Sequence, residues 1–166
     1  MSTSSIRYIH GTCALGDVLL AFSDKGLCAL LLGDDLASLE QDLARRFAGK
    51  LQRDEGLAPA LEQTLRHLNN PHLALDLPLD LAGSAFQRQV WEALRQIPVG
   101  QTASYREIAQ RLDQPQAFRA VANACGANPV AVIVPCHRVL RQDGSLGGYR
   151  WGLERKQQLL DREAQP

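Results

Sequence analysis

A cysteine and a histidine are adjacent in the stretch VIVPCHRVLR, residues 132–141, where they follow β-branched residues and a proline. Such a run predicts a buried strand that ends at Pro135. Cys136 is then either inert core filling or a nucleophile at the mouth of a pocket. A free thiol, with a pKa of about 8.5, supplies little thiolate at neutral pH, so nucleophilic chemistry requires a nearby base. His137 is the obvious base, and because adjacent side chains rarely face each other, we expect a bridging water between them.

A base of this kind is oriented by a third group, which we expect to be a buried acid. Glu163, in the last helical stretch LERKQQLLDRE, follows Leu159 by four residues and Leu160 by three. It therefore lies beside the apolar face of that helix, where a carboxylate needs a partner such as a histidine. The residues alone indicate a thiol site made of Cys136, His137 and Glu163.

The composition limits the class of protein. The chain has 166 residues, of which 45% are hydrophobic and 22% charged, which is typical of a globular protein with one core or two small lobes. No apolar run approaches the roughly 20 residues that span a bilayer, and the N-terminus has no apolar segment typical of a secretion signal. The cysteines form no C-x-x-C pair and resemble no zinc module. We therefore expect a cytoplasmic protein with reduced thiols, no membrane partner and no bound metal.

The net charge of zero hides an uneven distribution. Residues 1–83 carry 7 basic and 11 acidic groups, whereas residues 84–166 carry 11 basic and 7 acidic groups, which gives −4 and +4. In the second half 10 of the 11 basic residues are arginine, and Lys156 is the exception. Arginine is favoured at phosphate contacts, so the split indicates either an anionic partner on one side or an uneven solvated surface.

Residues 1–83 are predicted to form a scaffold lobe of strands followed by helices. Three apolar runs separated by glycine-containing turns predict a meander: IRYIHGT, DVLLAFS and GLCALLLG. Apolar residues at helical spacing predict helices over residues 36–47 and around 61–68. The stretch HLALDLPLDLAG alternates apolar and acidic residues and predicts an exposed connecting strand. No catalytic constellation is expected here.

Residues 84–166 are predicted to form a mostly helical lobe. Ser84 and Ser104 each begin a capping box, with Gln or Glu three residues later, so a helix should start after each. A third helix should end near Gly126, which suits a C-terminal cap. The face that it should bury consists of Phe118, Val121, Ala122 and Cys125. The last two of these helices are short and joined by about four residues, which is the outline of a helix-turn-helix.

Several motifs of this chain resemble those of the O6-alkylguanine-DNA alkyltransferases, also called methylated-DNA–protein-cysteine methyltransferases. The motifs are PCHRV at residues 135–139, RAVA at 119–122, ANPV at 127–130 and GYRWG at 148–152. The resemblance covers nearly the whole chain and is greatest to bacterial members. It implies an α+β protein with an RNase H-like N-terminal lobe, followed by a lobe that carries a winged helix-turn-helix and the reactive cysteine.

The resemblance also implies roles for individual residues. Cys136 would take the alkyl group from a flipped O6-alkylguanine, with His137 as a water-mediated base and Glu163 holding the imidazole. Asn128 would brace the turn that carries the cysteine, and Tyr105 would donate a hydrogen bond or a proton to the departing guanine. The transfer would be irreversible and would need no cofactor.

Further residues would bind the substrate and the DNA. Backbone groups around Cys136, Val139 and Arg150 would contact the guanine edge. Tyr149 would line the pocket, and Arg119 would fill the gap left by the flipped base. The partner would be double-stranded DNA, bound through its minor groove by a monomer. Two departures from relatives stand out: Ser23 replaces an expected zinc ligand, so no metal is expected, and the bulky Arg150 narrows the pocket. O4-alkylthymine is a further candidate substrate.

Three other functions remain compatible with the residues. A non-catalytic binder of alkylated DNA would keep the DNA surface but would not need Cys136. A thiol hydrolase would use the Cys-His-Glu set with an oxyanion hole, and it would not need the helix-turn-helix. If the protein were a transcription factor without catalytic activity, the PCHR motif would be accidental.

Overall fold

The computed structural model describes residues 5–165 and divides the chain into two compact units, with the boundary between Leu81 and Ala82. The sequence pattern changes two residues further along, between Gly83 and Ser84. Within residues 5–165, none of the helices has the length and apolar character needed to cross a membrane.

The first unit is built on a four-stranded sheet with the order β3-β2-β1-β4. Its strands are β1 (Ser5–Cys13), β2 (Gly16–Phe22), β3 (Leu27–Gly33) and β4 (Lys50–Arg53). The first three strands are antiparallel neighbours, which confirms the predicted meander, and β4 pairs with β1 in parallel. The sequence analysis missed β4 because its four residues, KLQR, are mostly polar and too few to show a periodic pattern.

Two helices pack on this sheet and confirm the predicted helical stretches. Helix α1 (Leu36–Arg46) packs on β2 and β3, and α2 (Ala58–Asn69) packs on β1. The side chain of Asp35 caps α1 by accepting a hydrogen bond of 2.8 Å from the Ser38 N–H. Both faces of β2 and β3 are covered, so their apolar residues form the core of the unit.

The stretch that precedes the unit boundary is not the predicted exposed strand. Only Leu79 forms a bridge, to Leu27 of β3, where the Leu27 N–H donates to the Pro78 carbonyl and the Asp80 N–H donates to the Leu27 carbonyl, each at 2.8 Å. Pro78 has no N–H to donate, so a longer ladder would be interrupted at this point. The alternation of apolar and acidic residues therefore reflects partial burial rather than strand pairing.

The second unit is mostly helical. Its elements are α3 (Ala85–Arg95), β5 (Ala103–Ser104), α4 (Tyr105–Arg111), α5 (Phe118–Gly126), β6 (Val139–Leu140) and α6 (Leu153–Glu163). Strands β5 and β6 form a short parallel pair. Both predicted capping boxes are present, at the starts of α3 and α4. With the sheet of the first unit, these helices confirm the α+β class.

Two local predictions in the second unit are wrong. Gly126 is the last residue of α5 rather than its cap, and the capping residue Ala127 has an ordinary φ of −90°. The run before Pro135 is a series of turns rather than a strand, because Val132 has a φ of +68° and the Ile133 N–H donates to the Ala131 carbonyl at 2.7 Å. A positive φ at a β-branched residue is strained, and the surrounding structure has to hold it.

Candidate active site

Cys136 lies in a single 3₁₀ turn, Cys136–Arg138, that Asn128 holds in place. The fully buried Asn128 amide donates to the Val134 carbonyl at 2.9 Å and to the Cys136 sulfur at 3.3 Å. Its side-chain oxygen accepts from the Val130 N–H at 2.9 Å. Asn128 therefore hydrogen-bonds to the backbone on both sides of the strained Val132 and to the thiol. The bracing role that the resemblance implies for Asn128 stays a prediction.

His137, Arg138 and Glu163 form a buried chain of ion pairs and hydrogen bonds. The His137 Nε2 atom lies 2.6 Å from the Glu163 carboxylate. The Arg138 guanidinium donates to both oxygens of the same carboxylate, at 2.8 and 3.0 Å, and to the Ile97 carbonyl at 2.7 Å. All three side chains are less than a tenth exposed. Glu163 is thus positioned by two partners rather than by the histidine alone.

The protonation states of this chain follow from its contacts. Burial alone raises the pKa of Glu163, but the hydrogen bonds from His137 and Arg138 outweigh burial and lower it to about 2. Burial lowers the pKa of His137, although Glu163 opposes this shift. An ionised carboxylate only accepts hydrogen bonds, so the neutral imidazole must carry its proton on Nε2. Its buried Nδ1 atom, which has no hydrogen-bond partner in the part of the chain that the structure describes, is therefore free to accept a proton.

The thiol of Cys136 is protonated at neutral pH. Burial raises the pKa of Cys136 to about 11, although the hydrogen bond from Asn128 and the charge of Lys156 each oppose the rise. A buried thiol of this kind reacts only if a neighbouring group takes its proton. The unprotonated Nδ1 atom of His137, the next residue, is suited to this task.

The sequence analysis gave no role to Lys156, which is completely buried on α6. Its ammonium group donates to the carbonyls of Val139 at 2.8 Å and Gly148 at 3.0 Å, and also to that of Leu146. It ties β6 to the loop that precedes α6. Two features of the sequence could have identified Lys156. It shares a helix face with Glu163, seven residues later, and it is the one lysine among the 11 basic residues of positions 84–166.

A cavity of about 160 Å³ opens beside Cys136. Of the residues predicted to bind substrate or to take part in the chemistry, Tyr105, Tyr149 and Arg150 also line it. The other lining residues are Ala122, Cys125, Gly126 and Gly148. Val139 is not among the lining residues, and its carbonyl accepts a hydrogen bond of 2.8 Å from Lys156. The structure thus brings Cys136, Tyr105, Tyr149 and Arg150 together around one cavity.

The two tyrosines of the cavity both keep their protons at neutral pH. Burial raises the pKa of Tyr105 to about 12 and raises that of Tyr149 well above its usual value of 10.0. Gly147, at a φ of +69°, lies close to Tyr105, since a Cβ atom there would be 2.9 Å from the tyrosine hydroxyl. Tyr105 is thus a hydrogen-bond donor whose hydroxyl needs a glycine beside it.

Comparison with known proteins identifies the family. Residues 85–165 match the family model described as 6-O-methylguanine DNA methyltransferase, DNA binding domain. The chain is 38% identical to the methylated-DNA–protein-cysteine methyltransferase of Methanosarcina barkeri over 90% of this chain and 91% of that protein. The chain belongs to the methylated-DNA–protein-cysteine methyltransferase family.

Two further relatives show how far this membership extends. The crystal structure of Mycobacterium tuberculosis OGT in complex with DNA has a TM-score of 0.78 and 37% sequence identity, and the match covers 96% of this chain and 92% of that one. The bifunctional transcriptional activator/DNA repair enzyme Ada of Escherichia coli is 49% identical over 97% of this chain, but the match covers 46% of Ada. This family member therefore spans about half the length of that relative.

Three further residues were singled out in the sequence of this family member: Arg119, Arg150 and Ser23. Arg119 is exposed as the second residue of α5 and does not line the cavity. Arg150 lies at the cavity rim, where its guanidinium group donates to the Gly126 carbonyl at 3.4 Å. Ser23, where the resemblance expects a zinc ligand, hydrogen-bonds to Asp80. Within residues 5–165 of this family member, no group of three or more His, Cys, Asp or Glu side chains is arranged to hold a metal ion.

Proposed function

We propose that this protein repairs DNA by transferring a methyl or other alkyl group from O6 of guanine to its own Cys136 in a single irreversible step. The observation that supports this most strongly is the arrangement of Cys136 beside a cavity, with His137, Glu163 and Arg138 in a buried chain next to the thiol. Family membership supports the same reaction.

The thiol is activated by the residue that follows it. His137 accepts the Cys136 proton at Nδ1 through a water molecule, and the resulting imidazolium is stabilised by the ionised Glu163. The thiolate attacks the alkyl carbon, so that an S–C bond forms as the C–O6 bond breaks. The thioether product has no leaving group that water or a neutral side chain displaces at neutral pH, and each chain therefore acts once.

The departing guanine must be neutralised as the C–O6 bond breaks. Tyr105 lines the cavity and remains protonated because its pKa is raised to about 12, so it donates a hydrogen bond or a proton to the base. Tyr149 lines the wall on which the base rests, and backbone groups at Cys136 and Arg150 contact the guanine edge. Backbone groups of Val139, whose carbonyl accepts a hydrogen bond from Lys156, contact the same edge of the guanine.

DNA binding is assigned to the second unit, which carries the excess of arginine. Helices α4 and α5 would form the helix-turn-helix of a winged domain that lies in the minor groove, with Arg119 inserted where the base has left the stack. The exposed position of Arg119 at the start of α5 supports this role. The complex of the M. tuberculosis relative with DNA supports DNA as the partner.

The proposal extends to the fold type of the first unit, the oligomeric state and the cellular compartment. The first unit, in which β4 joins a three-stranded meander in parallel, is assigned to the RNase H-like type. The protein would act as a monomer. Its four cysteines are all free thiols, which supports a reducing compartment such as the cytoplasm.

The test is the loss of methyl groups from DNA. A duplex that contains O6-methylguanine is incubated with wild-type protein or with Cys136→Ala, and the remaining modified base is measured after digestion. We expect removal by the wild type alone. Binding without removal would identify a non-catalytic binder of alkylated DNA. Repeated turnover of a chromogenic ester without removal would instead identify a thiol hydrolase.

A further inference from the structure

Two thiols, rather than one, line the cavity of the active site. Cys125 is carried by the last turn of α5, and Cys136 by the 3₁₀ turn that follows. Asn128 connects them, because its backbone N–H donates to the Cys125 carbonyl at 3.2 Å and its side-chain amide donates to the Cys136 sulfur at 3.3 Å. Asn128 therefore hydrogen-bonds to the backbone of one cysteine and to the thiol of the other. The proposed alkyl transfer uses only Cys136.

Two other groups in the same unit interact with both thiols. The pKa of Tyr105 is raised mainly by burial and further by the charges of Cys125 and Cys136. The pKa of Lys156 is lowered by burial, and both thiols oppose this shift. Each of these groups interacts electrostatically with both sulfur atoms, as expected if the sulfur atoms lie close together.

We propose that Cys125 and Cys136 form a dithiol site for trivalent arsenicals. An arylarsenous acid condenses with two thiols: two As–O and two S–H bonds break, two As–S bonds form, and two water molecules leave. Arsenic remains trivalent throughout, so the step needs no oxidant or reductant. Soft thiol ligands favour soft acceptors of this kind.

The properties of the cavity favour a neutral arsenical over a metal cation. Burial raises the pKa of Cys136 to about 11 and that of Cys125 still higher, and the two thiolates repel each other. A metal cation needs thiolate ligands, whereas the condensation starts from neutral thiols and leaves a neutral product. The cavity of about 160 Å³ is lined by Tyr105 and Tyr149 as well as by the two cysteines.

Attachment through two sulfur atoms should be resistant to monothiols. When a monothiol displaces one As–S bond, the freed cysteine is held beside the arsenic at a high effective concentration and closes the bond again. A dithiol such as dimercaptopropanol offers the same advantage to the competitor and removes the arsenic. Because the arsenical occupies Cys136, it also blocks alkyl transfer. This inhibition rests on the proposed function, whereas binding of the arsenical to the two thiols does not.

The experiment uses phenylarsine oxide as the probe and the full chain. Protein is treated with the probe, exchanged into excess glutathione, and analysed by intact mass. We expect the wild type to retain one phenylarsenic group and to lose it in dimercaptopropanol. Cys125→Ser and Cys125→Ala should lose it in glutathione, whereas Cys13→Ser and Cys28→Ala, which change thiols of the first unit, should retain it. Thermal unfolding of each variant shows whether it is folded.

The outcomes separate this inference from the proposed function. The dithiol site would be overturned if folded Cys125→Ser retained the phenylarsenic group in glutathione as well as the wild type does. Retention of the group by Cys136→Ala would overturn it too. Each protein is also assayed for methyl removal before and after treatment and glutathione exchange. The treated wild type should stay inactive, and treated Cys125→Ser should recover its own untreated rate. If no untreated protein removes methyl groups, the proposed function fails while the mass measurement still decides the arsenical site.

Discussion

Cys28 in the first unit and Cys136 in the second are both buried thiols whose pKa burial raises to about 11. The Cys28 sulfur donates to the Ala21 carbonyl at 3.4 Å within the sheet, and the charge of Asp80 raises its pKa further. Near Cys136 the hydrogen bond from Asn128 and the charge of Lys156 act in the opposite direction. Burial therefore does not decide which thiol reacts; the neighbouring donors, cations and bases do.

The same contrast extends to the two cores. Among residues 5–165, the buried polar side chains of the first unit are limited to Thr64, whereas the second unit buries five. These are Asn128, His137, Arg138, Lys156 and Glu163. Burying such groups is costly unless each has a partner. In the second unit these buried polar groups belong to the candidate active site and to the segments next to it. The first unit is a scaffold stabilised by apolar burial.

The largest expected effect distinguishes the two thiols. Cys136→Ala should abolish methyl transfer, because it removes the thiol that the base His137 directly follows in the chain, whereas Cys28→Ala should keep it. DNA affinity should be retained in both variants and should fall with added salt, since counterions are released on binding. The measurements are removal of methyl groups from duplex DNA and binding at several salt concentrations. Loss of transfer in folded Cys28→Ala would contradict the contrast between the units.

Glu163→Gln tests the buried charges of the second unit. Removing one partner of a buried ion pair typically costs about 3–5 kcal/mol, and Arg138 and His137 would both lose the carboxylate. The free energy of unfolding, measured in urea, should fall by about this amount at neutral pH. Glu154→Gln, on the exposed face of the same helix, is the matched control and should change stability little.

The pH dependence of stability gives this test a second measurement. The pKa of Glu163 is lowered from 4.5 to about 2, and that of His137 is lowered from 6.5. In both cases the unfolded chain binds the proton first as the pH falls, so wild-type stability should decrease below pH 6.5 and more steeply below 4.5. The Glu163→Gln variant should lack the steeper decrease in stability below pH 4.5. An unchanged profile would mean that Glu163 contributes no linked stability.

Arg119→Ala tests base flipping separately from the thiol chemistry. Repair of duplex DNA should slow by about tenfold or more, because extruding a base costs a few kcal/mol and about 1.4 kcal/mol is a factor of ten. Reaction with free O6-methylguanine, which needs no flipping, should be nearly unchanged. Lys at this position should restore only part of the rate, since it lacks a planar stacking surface. Arg88→Ala, an exposed charge on α3, is the control; an unchanged duplex-to-free-base ratio in Arg119→Ala would assign Arg119 to the solvated surface.

The smallest expected effect concerns Arg150 at the cavity rim. If its side chain narrows the entrance, Arg150→Ser should raise the rate with an O6-benzylguanine substrate relative to O6-methylguanine by a few-fold. The rates are measured on duplexes of the same sequence. Equal rates for the two substrates in the wild type would show that the entrance is wide enough for both.

Local patterns in the sequence were sufficient for much of the fold and for the candidate residues. The meander, both capping boxes and the face of α6 that carries Glu163 depend on spacing within a few residues, and each was predicted. The turns around Val132 were not, because a β-branched run favours a strand. Residue spacing does not show that the buried side chain of the nearby Asn128 hydrogen-bonds to the backbone on both sides of Val132.

The partners of the site depend on tertiary packing, which a single sequence does not display. Nothing local in the sequence shows that Arg138 shares the Glu163 carboxylate with His137, or that Lys156 is buried against three carbonyls. The same packing brings the Lys156 ammonium group to the Val139 carbonyl, a contact that the sequence does not predict.

The central claim is that the second unit makes Cys136 a methyl acceptor that acts once. The most direct measurement is intact mass and peptide mapping after incubation with an excess of duplex DNA containing O6-methylguanine. The account predicts that methyl removal stops at one methyl group per chain and that the added mass lies in the peptide that contains Cys136. Continued removal beyond one group per chain, or a methyl group on Cys125, would contradict it.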